Sequence, residues 1–124
     1  MAKQHAPRFL ALVDEARKRV PELSIEQVKE KLDRKESFRL IDVREGEEYG
    51  GGHLPGAEPL CKGILERDIE KLVPDPSTPL VLYCGGGFRS ALAADNLKRM
   101  GYTNVASMWG GWGAWAQAGY PIEK

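Results

Sequence analysis

The stretch "LVLYCGGGFRSALAADNL", from Leu80 to Leu97, constrains the fold more than any other part of the chain. An apolar, β-leaning run ends in a cysteine, three glycines follow, and Arg89 then leads into strong helix formers. A short continuous apolar run reads as a strand buried on both faces, which is the habit of parallel sheets. Parallel neighbours need a crossover, usually a helix, so this stretch predicts one strand–turn–helix unit of an α/β domain.

The rest of the chain repeats that alternation. "PRFLALVDEARKRV" sets Phe9, Leu12, Val13, Ala16 and Val20 on one helical face, and Pro21 limits it. "SIEQVKEKL" starts a second helix at Ser24, with Gln27 three residues on as a capping box. "FRLIDV" (Phe38 to Val43) reads as a strand, and "REGEEYGGGHLPGA" as a helical turn with a Gly/Pro loop. "KGILERDIEKLV" is a helix broken by Pro74 and Pro76, and "RSALAADNLKRM" is a helix closed by Gly101. "TNVASMW" predicts a further strand, and "GGWGAWAQAGYPI" a glycine turn with a short aromatic helix. The expected fold is therefore α/β, a mainly parallel central sheet flanked by helices on both faces, with an extra N-terminal helix. The expected division is an extension over residues 1–23 and one domain over 24–124, a length that supports a real core.

Charge and composition narrow the function classes. Eighteen Lys plus Arg balance eighteen Asp plus Glu, so no basic field calls for nucleic acid or an anionic membrane. No apolar run approaches the roughly 20 residues of a membrane span. "MAKQHAPRF" lacks the layout of a signal peptide, so a cytoplasmic location is expected. In a reducing compartment Cys61 and Cys84 are expected as free thiols, and with His5 and His53 they do not make a zinc pattern.

Ligands of parallel α/β sheets bind beyond the carboxyl ends of the strands. Cys84 ends one strand and Asp42 to Arg44 ends another, so both are expected at one rim. A thiol between a strand and a helix start meets oriented N–H groups and a positive helix end, which favour the thiolate. Gly85, Gly86 and Gly87 let the loop curl with positive φ, and their amides can form an anion nest. Arg89 adds a permanent charge and a planar donor fork suited to an oxyanion. A buried, inert thiol is the ordinary fate of a free cysteine. The glycines, the arginine and the strand-to-helix position together favour a nucleophile in an anion cradle instead.

Other candidates receive plainer readings. Asp42 at a strand end is expected to cap local N–H groups, with a pairing to Arg44 as the alternative. His53 is expected in a structural hydrogen bond, since a thiolate needs no general base. Cys61 lacks the surroundings of Cys84 and is expected to be unreactive. Trp109, Trp112 and Trp115 are expected in core and rim packing, with an apolar wall of the site as a further role.

Three ordered motifs resemble the rhodanese-like family. "DVREGEEYGGGHLPGA" is similar to its strand-end motif through Asp42, Arg44, Glu48, Tyr49, Gly52, His53, Pro55, Gly56 and Ala57. "YCGGGFRSALAADNL" resembles its active-site loop through Cys84, Gly87, Arg89, Ser90, Ala93, Ala94 and Leu97, and "GGWGAWAQAGYPI" its C-terminal signature. The resemblance covers about Ser24 to Ile122. It implies a sulfurtransferase in which Cys84 takes sulfane sulfur from a thiosulfate-like donor as a persulfide and passes it to cyanide or a thiol. It also implies a substrate-binding loop of Gly85, Gly86, Gly87, Phe88, Arg89 and Ser90, with Asp42 and Arg44 supporting, and neither cofactor nor metal. Gly85 stands where thiosulfate-preferring members often carry a basic residue, while Arg89 leans toward a sulfonate-like donor. The alternatives are a cysteine-dependent phosphatase or arsenate reductase, and a non-catalytic binding module. Such phosphatases typically carry His before the cysteine and five residues before the arginine. Here Tyr83 precedes Cys84, and four residues separate it from Arg89.

Overall fold

A computed structural model describes residues 5–124; residues 1–4, the start of the expected extension, lie outside the described residues. The element order is α1 (Pro7–Arg19), β1 (Glu22–Leu23), α2 (Ile25–Asp33), β2 (Arg39–Asp42), α3 (Gly46–Gly50), β3 (Glu58–Pro59), α4 (Lys62–Leu72), β4 (Leu80–Tyr83), α5 (Phe88–Arg99), β5 (Val105–Met108) and α6 (Gly111–Gln117). The five strands form one sheet in the order β1-β5-β4-β2-β3, and every pairing between neighbours is parallel.

Local chemistry explains the boundaries. Ser24 Oγ accepts from the Gln27 amide at 3.1 Å, and Gln27 Oε1 accepts from the Ser24 amide at 2.8 Å, closing the capping box that starts α2. Pro7 occupies the first turn of α1, where its missing N–H costs nothing, and Arg17, Lys18 and Arg19 meet the negative end of its dipole. Two strands are absent from the sequence reading. β1 and β3 have two residues each, too short for a period-2 pattern, and they form only because the sheet offers them an edge.

The sheet is covered on both faces. On one, Ile41, Leu80 and Leu82 meet Leu65 and Ile69 of α4 and Ala93, Ala94 and Leu97 of α5. On the other, Leu40, Val81 and Tyr83 meet Ile25 and Val28 of α2 and Trp115 of α6. α1 packs on α5 and buries Val13 and Ala16. Full burial of a valine is worth about 1.5 kcal/mol or more, whereas the Arg19–Asp95 pair is open to water on its arginine side and screened there. The buried part of the expected stripe therefore holds α1 in place and the charges set its register, while Leu12, expected on the same face, is exposed.

Candidate active site

Strand alternation decides where Cys84 points. Leu80, Leu82 and Cys84 share the α4/α5 face of β4, which carries the cysteine beneath the start of α5. The side chain is 1% exposed. Its Sγ accepts from the Gly87 amide at 3.1 Å and the Ser90 amide at 3.4 Å, and lies 3.6 Å from Ser90 Oγ. These donors sit at the positive end of the α5 dipole, where an anion is favoured. Left-handed freedom, expected at all three glycines, is used at one: Gly87 has φ 106°, whereas Gly85 and Gly86 do not have positive φ. Gly87 is also pressed against Trp109, whose Cε3 would lie 2.9 Å from an added Cβ.

α6 holds the loop from outside. The amides of Trp112, Gly113 and Gly110 donate to the carbonyls of Cys84, Gly85 and Gly86 at 2.8, 2.9 and 3.1 Å. Those bonds fix the peptide planes, and they explain the chemistry of the "GGWG" turn. Gly111 allows the approach: it has φ 56°, and an added Cβ would sit 2.8 Å from Gly85 C and O, closer still to Cys84 O. Gly111→Ala is therefore expected to cost about 3 kcal/mol through backbone overlap and strain. In a thermal melt that is a loss of roughly 10 °C. An unchanged melting temperature would mean that α6 and the loop can separate freely.

Arg89 does not stand alone. Its Nη1 and Nη2 donate to Glu48 Oε1 and Oε2 at 3.0 and 3.3 Å, spanning α5 to α3. Hydrogen bonding to Arg89 holds the Glu48 carboxyl below its ordinary range, against burial. Glu48 in turn raises the Arg89 guanidinium above its ordinary value, and the nearby Cys84 sulfur adds to the rise. Because the folded carboxyl value is depressed, the pair stabilises above the unfolded carboxylate range and is lost as pH falls through the folded value. Arg89→Ala should move the Glu48 carboxyl titration upward in an NMR pH series. No movement would place the cause elsewhere. Glu48 belongs to a motif in the sequence, but nothing in its spacing shows that it meets Arg89.

A second polar cluster fixes the chain one residue before the cysteine. Asp42 Oδ2 accepts from Tyr83 Oη and from Arg44 Nη2, both at 2.8 Å, and Asp42 Oδ1 accepts from the Arg44 amide at 2.9 Å. The Leu54 amide donates to Tyr83 Oη at 3.1 Å, and Arg44 Nη2 to the Gly52 carbonyl at 2.7 Å. Asp42 thus both caps a backbone amide and pairs with Arg44. Burial pushes the Tyr83 phenol far above its ordinary value, so it stays a neutral donor. Burial opposes charge on Arg44, but the bonds to Asp42 outweigh it and raise the guanidinium.

The remaining candidates fall at different distances from this centre. His53 Nδ1 lies 3.2 Å from the Tyr49 carbonyl and its ring stacks on Tyr49 at 3.8 Å, a structural setting. Cys61 is a half-buried free thiol at the start of α4. Trp115 is a core residue, its Nε1 donating to the Pro121 carbonyl at 2.8 Å. Trp112 lies under Arg44 at 4.8 Å, and Trp109 packs edge-on to Phe88 at 5.2 Å. A cleft of about 520 Å³ opens beside the loop, lined by Gly85, Gly86, Phe88, Arg89 and Glu48, with His5 at its edge. The His5 ring lies 4.4 Å from Phe88, so the extension borders the cleft. His5 carries no motif, and only tertiary packing brings it there. Among the described residues, no three His, Cys, Asp or Glu side chains cluster to hold a metal ion.

The family model described as a rhodanese-like domain matches residues 24–118. The chain belongs to the rhodanese-like family. It is 34% identical over 101 residues to the thiosulfate sulfurtransferase GlpE of Pseudoalteromonas translucida, covering 77% of this chain and 89% of that protein. YrkF of Bacillus subtilis is 34% identical over 96 residues, and the matched part is 51% of its length. A solved Rhodopseudomonas palustris protein of unknown function, described as a possible tyrosine phosphatase, shares 33% identity and a TM-score of 0.85, with 99% of both chains covered. The likeness to that structure takes in α1, whereas the family model begins after it.

Proposed function

We propose that this rhodanese-like chain is a cytoplasmic sulfurtransferase that moves sulfane sulfur from a thiosulfate-like donor to cyanide or a thiol through a persulfide on Cys84. One observation carries the reading: Cys84 Sγ accepts two amides at the start of α5, beneath Arg89. In the first step the Cys84 thiolate attacks the outer sulfur of thiosulfate, the donor S–S bond breaks, and sulfite leaves with the electron pair. In the second, cyanide or a thiolate attacks the outer persulfide sulfur, and Cys84 returns as thiolate. Neither step needs an outside oxidant or reductant, and two covalent half-reactions imply ping-pong kinetics. Gly85, Gly86, Gly87 and Ser90 bound the sulfur, Phe88 walls the cleft, Arg89 holds the donor's oxyanion, and Asp42 with Arg44 steadies the β4 end.

Arg89 must turn from Glu48 to meet a donor, which offsets part of its value. Arg89→Ala is expected to raise the thiosulfate KM about tenfold, the loss of roughly 1.4 kcal/mol from a charge-assisted bond. An unchanged KM would mean that the loop amides alone hold the donor.

The likeness to a possible tyrosine phosphatase supports a second reading, phosphate or arsenate chemistry at the same thiolate. The four-residue spacing from Cys84 to Arg89 argues for the smaller, single-sulfur cradle. The test is turnover of thiosulfate with cyanide beside hydrolysis of an aryl phosphate. Thiosulfate turnover without phosphate release is expected. Phosphate release alone would reverse the assignment, and inactivity toward both would favour a binding module.

A further inference from the structure

Ser107 is a fully buried hydroxyl on β5, between strand positions that feed apolar clusters through Val105 and Met108. Its amide donates to the Pro21 carbonyl at 3.0 Å as part of the β1 edge, so the backbone is satisfied without the side chain. Its Oγ lies 2.8 Å from Ser90 Oγ, and among the described residues Ser90 is the partner it has. Ser90 is itself fully buried, with Oγ 3.6 Å from Cys84 Sγ. Three polar atoms therefore run in a row from β5 through α5 to the cysteine.

Counting protons gives that row a direction. With Cys84 as thiolate, Ser107 donates to Ser90 and Ser90 donates to Sγ, so both hydroxyl protons are placed. With a thiol donating to Ser90, one hydroxyl proton has no acceptor within the row. Burying such a donor without a partner costs on the order of 1–3 kcal/mol. Hydrogen bonds in sequence also polarise one another, strengthening the terminal bond by roughly 10–30%.

We propose that Ser107 is a positioning residue for Cys84: it donates to Ser90 and thereby commits the Ser90 hydroxyl to the cysteine thiolate. This deepens the sulfurtransferase reading and rests on Cys84 acting as a thiolate. The charged groups facing Sγ are Arg89 on α5 and, through Arg89, Glu48 on α3; all variants below leave both in place.

The test is the rate of Cys84 alkylation by iodoacetamide across pH, read by mass on the Cys84 peptide. Ser107→Ala should slow the neutral-pH reaction about threefold, on the scale of that polarisation, and leave the alkaline plateau unchanged. Ser107→Thr and Ser107→Val have matching bulk and differ in the hydroxyl, so Thr should keep the wild-type profile and Val should not. This pair decides the matter even where Ala disturbs the fold. Added to Ser90→Ala, Ser107→Ala should change nothing further, because its effect passes through Ser90. Equal profiles for Thr and Val, or an additive loss in the double variant, would overturn the proposal. Wild-type Cys84 that reaches its alkylation plateau at alkaline pH and reacts there alone would instead defeat the thiolate reading itself, a separate result.

Discussion

Cys84→Ser is expected to lower thiosulfate:cyanide turnover by about a thousandfold or more, the scale seen when a covalent nucleophile is removed. The replacement keeps the volume of the side chain close to that of cysteine. Its Oγ would still lie near the Gly87 and Ser90 amides, which bond Sγ at 3.1 and 3.4 Å. What disappears is the atom. An alcohol is not ionised at neutral pH, and its oxygen cannot store sulfane sulfur between half-reactions. Arg89 and the α5 amides would still bind the donor, so donor protection against thermal unfolding should persist while turnover vanishes. Turnover within tenfold of wild type would remove Cys84 from the reaction.

The second large effect concerns stability. Asp42→Ala is expected to cost about 3–5 kcal/mol, because it strands a buried guanidinium. The Arg44 side chain is 3% exposed and takes two nitrogens to Asp42, while Tyr83 Oη loses its acceptor at the same time. Arg44 keeps the Gly52 carbonyl and the face of Trp112, which softens the loss without replacing the charge. Urea denaturation should therefore show a large fall for Asp42→Ala and a smaller one for Asp42→Ala combined with Arg44→Met, which removes the stranded charge. If the double variant were the less stable, the cost would come from lost packing. Turnover at low temperature should also fall in the single variant, since Tyr83 directly precedes Cys84.

The parts of this fold that depend on local chemistry could be read from the sequence. The Ser24–Gln27 box, the apolar stripe of α1 and the run "LVLYC" each specify their element within a few residues. The strand–cysteine–glycine–helix order likewise puts a thiol under a helix start, because the backbone itself supplies the donors. What could not be read depends on which residues the sheet brings together. β1 and β3 exist only beside β5 and β2. Glu48 is 41 residues from Arg89, and Ser107 is 17 from Ser90, so no local pattern links them. The one signal for Ser107 is a hydroxyl in an otherwise apolar strand, and sequence alone gives it no partner. The glycines show the same limit: three in a row suggest a freely curling loop, yet the positive φ falls at Gly87, where Trp109 closes on the backbone.

The central claim, that Cys84 carries the sulfur, is tested most directly by intact mass after thiosulfate treatment. Wild type is expected to gain one sulfur atom that maps to Cys84 and is removed by dithiothreitol or cyanide, and Cys84→Ser to gain none. A gain that maps to Cys61, or no gain in a folded wild-type protein, would contradict the account.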